Sequence, residues 1–292
     1  MISYISNKLN DYWNSILISI LKNGANLPKR IGIIMDGNRR YAKMKNFKEI
    51  QGHTDGMETL LNLLKWSIGL NIEELTVFAF SIDNFKRTEE EINGLMNLFK
   101  ENFYKFANNK EALKSGIKIC IYGKRDLFDN EMQNIFKEIE EKTKNGKNIK
   151  LNVCIGYNST EEIYQAAKKC EKNASDIRKE FESHLYGGYN CNPELLIRTS
   201  GETRLSNFLL YQCRFALILF VDKKWPELTL FDYFMILLRY NYNYNDHKAK
   251  LKQLEKENNF IIDKNLRRNQ IKQLFIISMS ICIDFIRGKK MA

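Results

Sequence analysis

The stretch IIMDGNRRYAK, residues Ile33–Lys43, passes from apolar residues straight into an acid, a glycine, an amide and two arginines. Ile31–Met35 predicts a buried strand, Gly37 a tight turn, and Asn38–Met44 the start of a helix. In open parallel sheets ligands bind at the carboxyl ends of strands, where a helix N-terminus favours an anion by about 0.3–1 kcal/mol. A carboxylate there, Asp36, predicts Mg²⁺. The stretch therefore predicts a metal-assisted polyphosphate site; the alternative is an N-cap aspartate beside solvated arginines.

Short apolar runs alternate with helical patterns along the rest of the chain. Apolar runs in which polar residues do not alternate with apolar ones predict parallel strands that are buried on both faces. The runs are Ile31–Met35, Leu75–Phe80, Ile117–Tyr122, Ile149–Ile155, Leu195–Ile197 and Phe215–Val221. Two capping boxes, Thr88 with Glu91 and Ser159 with Glu162, predict helices, the first running through about Leu113. We expect an α/β fold with one open, mostly parallel six-stranded sheet that is flanked by helices.

Composition changes at both ends predict a catalytic domain over residues 26–240 with an extension on each side. Residues 1–25 predict an amphipathic helix that either packs on the domain or lies in a membrane interface. Its apolar face is formed by Ile5, Leu9, Trp13, Ile16, Leu17, Ile20 and Leu21. Residues 241–292 predict a helical hairpin with a second helix at Lys264–Arg287, which either adds packing or docks to a membrane or partner. No apolar run reaches the roughly 20 residues that a bilayer-spanning helix needs.

The net charge of +11, from 46 basic and 35 acidic residues, predicts an anionic partner. The richness in Lys, Asn and Ile is typical of a biased source composition, so the charge by itself does not identify that partner. The six cysteines form no C-x-x-C pair, which disfavours a zinc knuckle.

Two further strand ends repeat the chemistry of the first. Beyond Val77–Phe80 lie a hydroxyl, an amide, an aromatic ring and a cation: Ser81, Asn84, Phe85 and Arg87. Beyond Leu195–Ile197 lie two guanidiniums and several hydroxyls: Arg198, Thr199, Ser200, Arg204 and Ser206. Guanidiniums among hydroxyls in short turns suit compact phosphate groups rather than a nucleic-acid backbone, so we expect no nucleic-acid partner. His53, without a nearby Cys or His, is not expected to bind zinc.

Together these stretches resemble the signature motifs of the cis-prenyltransferase family, which includes undecaprenyl and dehydrodolichyl diphosphate synthases. MDGNRRYAK, AFSIDNFKR, LIRTSGETRLSNFLL and the WPEL of Trp225–Leu228 occur in the family's order, over about Asn26–Tyr240. The double arginine and SIDNFKR are most similar to the eukaryotic, dolichol-forming branch. The resemblance implies a dimer-forming enzyme with a deep apolar tunnel. It would add isopentenyl diphosphate units in cis to an allylic primer, expected to be farnesyl diphosphate, and yield a long polyprenyl diphosphate such as dehydrodolichyl diphosphate, for dolichol and protein glycosylation.

The resemblance also implies roles for single residues. Asp36 would hold Mg²⁺ and help the allylic diphosphate to leave, and Asn84 would position the proton that is lost. Allylic diphosphate binding would fall to Gly37, Asn38, Arg39, Arg40, His53 and Arg87. Isopentenyl diphosphate would be bound by Arg198, Arg204 and Ser206. The reaction site would be lined by Tyr41, Ser81 and Phe85. An apolar stripe on the helix from Glu89 would form a tunnel wall, or ordinary core: Leu95, Leu98, Phe99, Phe103 and Phe106.

Three positions depart from the family pattern, and the last two of them concern a partner. Glu49 stands where many members have a basic residue. Leu217 stands where homomeric members have a strand glutamate, and Arg287–Gly288 replaces their Arg-x-Gly. We therefore expect a homodimer or a heteromer with a related noncatalytic subunit, and weak activity of the chain alone. We also expect peripheral attachment to the cytosolic face of the endoplasmic reticulum. The alternatives are that the chain is itself a noncatalytic subunit or an unrelated phosphate- or nucleic-acid-binding protein.

Overall fold

The computed structural model describes residues 14–171, 176–189 and 191–261. Its centre is a six-stranded sheet in the order β3-β4-β2-β1-β5-β6, with every neighbouring pair parallel. The strands are β1 Arg30–Ile34, β2 Glu74–Ser81, β3 Ile117–Tyr122, β4 Ile149–Tyr157, β5 Leu195–Arg198 and β6 Leu217–Phe220. The predicted six-stranded parallel sheet is confirmed. The apolar runs were informative because β1, β4 and β5 are buried along most of their length.

Helices connect and flank the strands. They are α1 at 14–24, α2 Asn38–Met44, α3 Glu49–Gly69, α4 Glu89–Asn108, α5 Lys110–Lys114, α6 Asn130–Thr143, α7 Ser159–Lys169, α8 Ile177–Ser183 and α9 Leu230–Ile261. The helix that was predicted to run through Leu113 ends instead at Asn108. Asn109 takes an extended backbone and its side chain caps α5 through the N–H groups of Glu111 and Ala112. An asparagine can offer the backbone this alternative to a continuous helix.

The predicted cap of α7 is also wrong. Asn158, not Ser159, is the N-cap, and its side chain accepts from the Glu161 N–H at 2.8 Å. The Ser159 hydroxyl accepts from the Leu210 N–H at 2.8 Å, and the Glu162 carboxylate turns into the protein. At Thr88 the cap on the Glu91 N–H is present, but the Glu91 side chain binds Arg87 instead of completing the box.

The alternation of side chains along the strands gives the sheet two different faces. Leu151 and Val153 of β4 face a large cavity, whereas Asn152 and Cys154 between and after them face the opposite side. On that opposite side a close-packed cluster fills the space up to the loop after β5. Its members are Ile34, Tyr122, Cys154, Tyr157, Leu196, Phe208, Leu209 and Cys213.

The two ends of the chain lie only partly within the described residues. In α1, Leu21 is buried whereas Ile20 is 52% exposed; Ile5, Leu9 and Trp13 lie outside the described residues. Helix α9 begins at Leu230 and crosses the boundary that was predicted at residue 240. Compact units are Met1–Asn243 and Tyr244–Ala292, and the predicted helix at Lys264–Arg287 is outside the described part. Among the helices described, none is long and apolar enough to cross a membrane.

Candidate active site

The three strand ends that carry polar motifs lie side by side. β1 pairs with β2 on one side and with β5 on the other, and the chain crosses between those two sides, so the β1–β5 boundary is the topological switch point of the sheet. Gly37 follows Asp36 with φ 104°, and a Cβ there would lie 2.7 Å from the Ser200 Oγ. The turn therefore needs glycine both for its backbone and for the close approach of the loop after β5.

Asp36 is held between two guanidiniums. Arg198 Nη2 donates to its Oδ2 at 2.7 Å, and Arg40 Nη2 lies 3.3 Å from its Oδ1. Burial alone would raise the pKa of Asp36, but the hydrogen bond and charge of Arg198 and the charge of Arg40 lower it. The carboxylate is therefore ionised and fixed in direction before any substrate arrives.

Arg198 is itself buried, with its side chain only 4% exposed. Its Nη1 donates to the Ser206 Oγ at 2.7 Å and to the Arg204 carbonyl, while its Nε has no partner among the described residues. Arg198 thus joins the acid of the first motif to the hydroxyl of the third, and one donor stays open for a ligand.

Glu202 links the two predicted diphosphate sites, and sequence reasoning missed it. One of its oxygens lies 3.1 Å from Arg40 Nη1, and the other accepts from Arg204. A single carboxylate therefore neutralises one arginine of each site. The signal was present in the sequence, since an acid between Arg198 and Arg204 needs a partner, but its contact with Arg40 joins positions 162 residues apart.

Glu91 has the same role at the other side of the site and was likewise missed. It lies 2.6 Å from Arg87 Nη1 and 3.7 Å from Arg39 Nη1, and its side chain is 13% exposed. Two guanidiniums that would repel each other are held by one carboxylate. The pair is thereby placed to receive a larger anion.

His53 and Asn38 each bring a buried polar atom to this region. Neither the His53 Nε2 nor the Asn38 Oδ1 has a hydrogen-bond partner in the described part of the chain. Burial, with Arg87 and Arg39 nearby, lowers the pKa of His53 to about 4, so the imidazole is neutral at pH 7. Gly52 permits this arrangement, because a Cβ there would lie 2.2 Å from the Asn38 carbonyl oxygen.

The turn after β2 is closed by its own side chains. The Ser81 Oγ accepts from the Asn84 N–H at 3.1 Å, and the Asn84 Oδ1 accepts from the Ser81 N–H at 3.0 Å. The Asn84 Nδ2 is the donor that this reciprocal cap leaves over. Phe85 packs edge-on against Phe80 at 4.9 Å between ring centroids, which ties the turn to the cavity wall.

The contacts above join six residues, here called the Asp36 cluster: Asp36, Arg40, Arg198, Glu202, Arg204 and Ser206. The Tyr41 hydroxyl lies near the Asp55 carboxylate of α3, and burial and that carboxylate raise the pKa of the hydroxyl. Two residues outside the predicted substrate-binding set hold the Asp36 backbone: Thr199 Oγ1 donates to its carbonyl at 2.8 Å, and the Trp225 N–H does so at 2.9 Å.

A cavity of about 640 Å³ lies beside this cluster. Its lining includes Asn38, His53 and Trp225, and also Lys105, Glu111 and Ser115. The predicted wall is confirmed, because Leu95, Leu98, Phe99, Phe103 and Phe106 all line it. The volume suits a sizeable apolar ligand, and the polar residues around Asp36 supply a place for an attached anion.

The residues present fit a magnesium ion that arrives with a diphosphate. The described residues contain no group of three or more His, Cys, Asp or Glu side chains that could hold a metal by themselves. Mg²⁺ typically takes one or two carboxylates together with substrate phosphates and waters. Asp36 supplies one fixed carboxylate for the ion. The unpaired Arg198 Nε and His53 Nε2 can bind the phosphates that would complete the site.

Leu217 lies at the other end of its strand from the site. It is the first residue of β6 and pairs with Leu195, three residues before Arg198. At about 3.3 Å per residue in a parallel strand, that is about 10 Å from the level of Arg198. A glutamate at this position would therefore not reach the Asp36 cluster of its own chain.

Comparison with known proteins places the chain among prenyl diphosphate synthases. The family model Prenyltransf, which describes undecaprenyl diphosphate synthase, matches residues 34–248. A tritrans,polycis-undecaprenyl-diphosphate synthase (geranylgeranyl-diphosphate specific) from Picrophilus torridus is 36% identical over 82% of this chain and 96% of its own length. The dehydrodolichyl diphosphate synthase complex subunit DHDDS from Homo sapiens is 38% identical over 78% of this chain and 71% of its own length.

One solved structure supports the same placement. Lavandulyl diphosphate synthase from Lavandula x intermedia, in complex with dimethylallyl diphosphate, superposes with a TM-score of 0.68. The match has 26% identity and covers 74% of this chain and 95% of that one.

Proposed function

The chain belongs to the undecaprenyl diphosphate synthase family and is a cis-prenyltransferase, and from that premise we propose that it condenses isopentenyl diphosphate units onto an allylic diphosphate primer to build a long polyprenyl diphosphate. The observation that carries this proposal is that residues next to Asp36 line an apolar cavity of about 640 Å³: Met35 and Asn38 flank the Asp36–Gly37 turn, and Trp225 donates its N–H to the Asp36 carbonyl. A polar anchor for diphosphates and an apolar space for a chain are the two things that elongation requires.

The allylic diphosphate binds at Arg39, Arg40 and Arg87, with Gly37, Asn38 and His53 around it. Its departure leaves an allylic cation, so the negative charge that develops on the leaving group must be stabilised. Glu91 and Glu202 keep these arginines in place before the substrate arrives. When the substrate binds, its diphosphate replaces one carboxylate partner of each arginine. This exchange costs less free energy than removing water from an unpaired guanidinium.

Isopentenyl diphosphate binds at Arg204, Ser206 and the open Nε of Arg198. The diphosphate released from the allylic substrate takes up the proton that is lost after condensation, and Asn84 Nδ2 donates to that diphosphate and so positions it. Mg²⁺ held by Asp36 and the diphosphates, when bound, neutralises phosphate charge and so makes the diphosphate a better leaving group. The apolar cavity receives the growing chain and excludes water from the cation.

We propose farnesyl diphosphate as primer and dehydrodolichyl diphosphate, the precursor of dolichol, as product. The similarity to the human dehydrodolichyl diphosphate synthase subunit supports this choice, whereas the relative from Picrophilus torridus is named for geranylgeranyl diphosphate. Measuring kcat/KM for each primer decides between them. Chromatography of the dephosphorylated products against polyprenol standards gives the chain length.

A second chain completes the active enzyme. Leu217 supports this proposal. A glutamate at that strand position would serve only the site of another chain. Two copies of this chain, which has leucine there, would both lack that glutamate, and a related subunit could supply it. Purification from a host without family partners, followed by assay with Mg²⁺ and detergent, is the test. We expect turnover well below a typical enzyme rate of about 1 s⁻¹ for the chain alone, and restoration by a related subunit. A rate of about 1 s⁻¹ or more without a partner refutes this requirement.

The enzyme works at the cytosolic face of the endoplasmic reticulum, attached through residues 1–25. A product that does not dissolve in water and the exposed Ile20 of α1 support this assignment. Liposome flotation is the test, with Ile20→Asp as the variant and Ile177→Asp, another exposed isoleucine, as the matched control. We expect only the first to reduce flotation. Equal flotation of both variants and the unmodified chain contradicts attachment through α1.

A further inference from the structure

A second, much smaller cavity lies on the face of the sheet opposite the tunnel. Its volume is about 10 Å³, which is close to the space that one water-sized particle needs. Its walls are largely polar: Glu74, Thr76, Tyr122, Asn152, Glu162, Gly187, Cys191, Leu209 and Gln212. None of the residues assigned to the condensation reaction lines it. The cavity therefore needs an explanation of its own.

Glu162 reaches this cavity as a hydrogen-bond acceptor. Its carboxylate accepts from the Tyr157 hydroxyl, from Gln212 Nε2 at 2.9 Å and from the Tyr186 N–H at 2.9 Å. The Ser159 hydroxyl is in turn bonded to the Tyr157 oxygen, so the Tyr157 proton points to Glu162. These three donors leave the carboxylate oxygens as acceptors in this arrangement. Burial raises the pKa of Glu162 and the hydrogen bonds offset only part of that rise, so a cation beside the carboxylate would favour its ionised form.

A neighbouring buried glutamate shows what Glu162 lacks. Glu182, with its side chain 6% exposed, lies 3.3 Å from Arg178 Nε and 2.8 Å from Arg214 Nη2. Glu162 is 3% exposed, yet across the described ranges no lysine or arginine forms an ion pair with it. A buried charge without a counter-charge is costly. The fold supplies two cations to one buried glutamate and none to the other.

Two amide oxygens of the cavity wall are also without partners. Asn152 Nδ2 donates to Glu74 and, at 2.9 Å, to the Thr76 Oγ1. Gln212 Nε2 donates to Glu162. Because both nitrogens are held by carboxylates, the amides cannot be flipped without loss. Asn152 Oδ1 and Gln212 Oε1 then remain, buried and with no partner in the described part of the chain.

We propose that this cavity binds one desolvated monovalent cation, of which K⁺ matches the available space, through the Glu162 carboxylate and the amide oxygens of Asn152 and Gln212. A water molecule would satisfy the two oxygens but would leave the carboxylate without a counter-charge. A divalent ion such as Mg²⁺ keeps several waters in an octahedral shell, and a cavity of about 10 Å³ leaves no room for them. Oxygen ligands suit a hard cation, which would join β4 to α7 and to the loop after β5.

Thermal unfolding of the full chain in KCl, NaCl and choline chloride at equal ionic strength tests the proposal. At 100 times its Kd a bound ion should raise the Tm by about 5 °C or more, whereas choline is too large to enter. Glu162→Gln should abolish the difference between the salts. Glu182→Gln is the matched control, because it should lower the Tm but keep the salt difference. Equal Tm values of the unmodified chain in all three salts overturn the proposal, whether or not the variants fold.

Crystals grown in RbCl locate the ion. Rb⁺ replaces K⁺ and scatters anomalously, so we expect an anomalous peak between Glu162, Asn152 and Gln212. A peak in this cavity without anomalous signal identifies water. That result, or anomalous peaks only elsewhere, contradicts the assigned site.

Discussion

The two faces of the sheet are built from the same strands, yet one face borders a large cavity and the other is closely packed. On one face, Leu151 and Val153 border a cavity of about 640 Å³. On the other, Asn152 and Cys154 lie in a packed layer beside a cavity of about 10 Å³. Natural interiors are close-packed, so the hollow face is the one that function has kept open. The reactive cluster sits where that hollow meets the strand ends.

The largest expected effect falls on the cluster at the mouth of the hollow face. Asp36→Ala should lower the condensation rate by at least about 10²-fold, because a main electrostatic group of the site is lost. Single-turnover assays with labelled isopentenyl diphosphate measure this loss. Asp83→Ala, which removes an exposed acid paired with Lys86 just beyond β2, is the control and should keep its rate. A variant at Asp36 that retains more than about a hundredth of the rate would show that Asp36 is not the metal ligand.

The same substitution on the two faces should give different losses of stability. Leu196→Ala, in the packed cluster and fully buried, should lower the free energy of unfolding by about 2–5 kcal/mol. Leu98→Ala, in the tunnel wall, should lower it by about 1 kcal/mol or less, since that side chain already borders open space. Urea unfolding of both variants provides the measurement. Equal losses would mean that the tunnel face is packed as tightly as the other in solution.

The two arginines of the third motif should separate binding from catalysis. Arg204 is 65% exposed and pairs with Glu202, so Arg204→Ala should raise the KM for isopentenyl diphosphate about 10-fold or more and leave kcat nearly unchanged. Arg198→Ala should also lower kcat, because it frees the Asp36 carboxylate from its 2.7 Å partner. Steady-state kinetics with varied isopentenyl diphosphate distinguish the two. A rise in the allylic KM alone would mean that the two diphosphate sites are reversed.

The last expected effect concerns pH and vanishes at neutral pH. The pKa of His53 is about 4 in the fold and about 6.5 in an unfolded chain, so the unfolded state binds the extra proton between these values. The contribution of the neutral His53 to the free energy of unfolding is therefore complete above about pH 6.5. As the pH falls towards 4 the protein loses this contribution, which is at most about 3 kcal/mol. His53→Gln should flatten this part of the stability curve, measured by urea unfolding from pH 4 to 7. An unchanged slope would place His53 in a more solvated setting.

Sequence reasoning recovered most of the frame and much of the site. Strands buried on both faces produce unbroken apolar runs, and the start of α2 at Asn38 was predicted because Gly37 and the apolar strand define it. The end of α2 at Met44 was not predicted. It failed where an asparagine competes with regular structure, at the break of α4 at Asn109 and at the cap of α7 by Asn158. Both are local hydrogen bonds that no periodicity reports.

The site was harder to predict where its contacts join distant positions. Arg39, Arg40, Arg87 and Arg204 were found as cations at strand ends, but their partners Glu91 and Glu202 were not found. Tyr41 was expected at the reaction site because of its motif, and its contact with Asp55 of α3 was not foreseen. Glu162 was predicted to complete a capping box with Ser159, whereas its carboxylate is buried with Tyr157 and Gln212.

The central claim is that the cluster at Asp36 and the hollow face together perform cis elongation. Its most direct test is transfer of label from isopentenyl diphosphate into butanol-extractable product, with an allylic primer and Mg²⁺, for the chain alone and for the chain with a related noncatalytic subunit. The account predicts primer-dependent transfer into long products with the partner present, abolished by Asp36→Ala and retained in Asp83→Ala. Absence of primer-dependent transfer from the folded chain, both alone and with the partner, would contradict it.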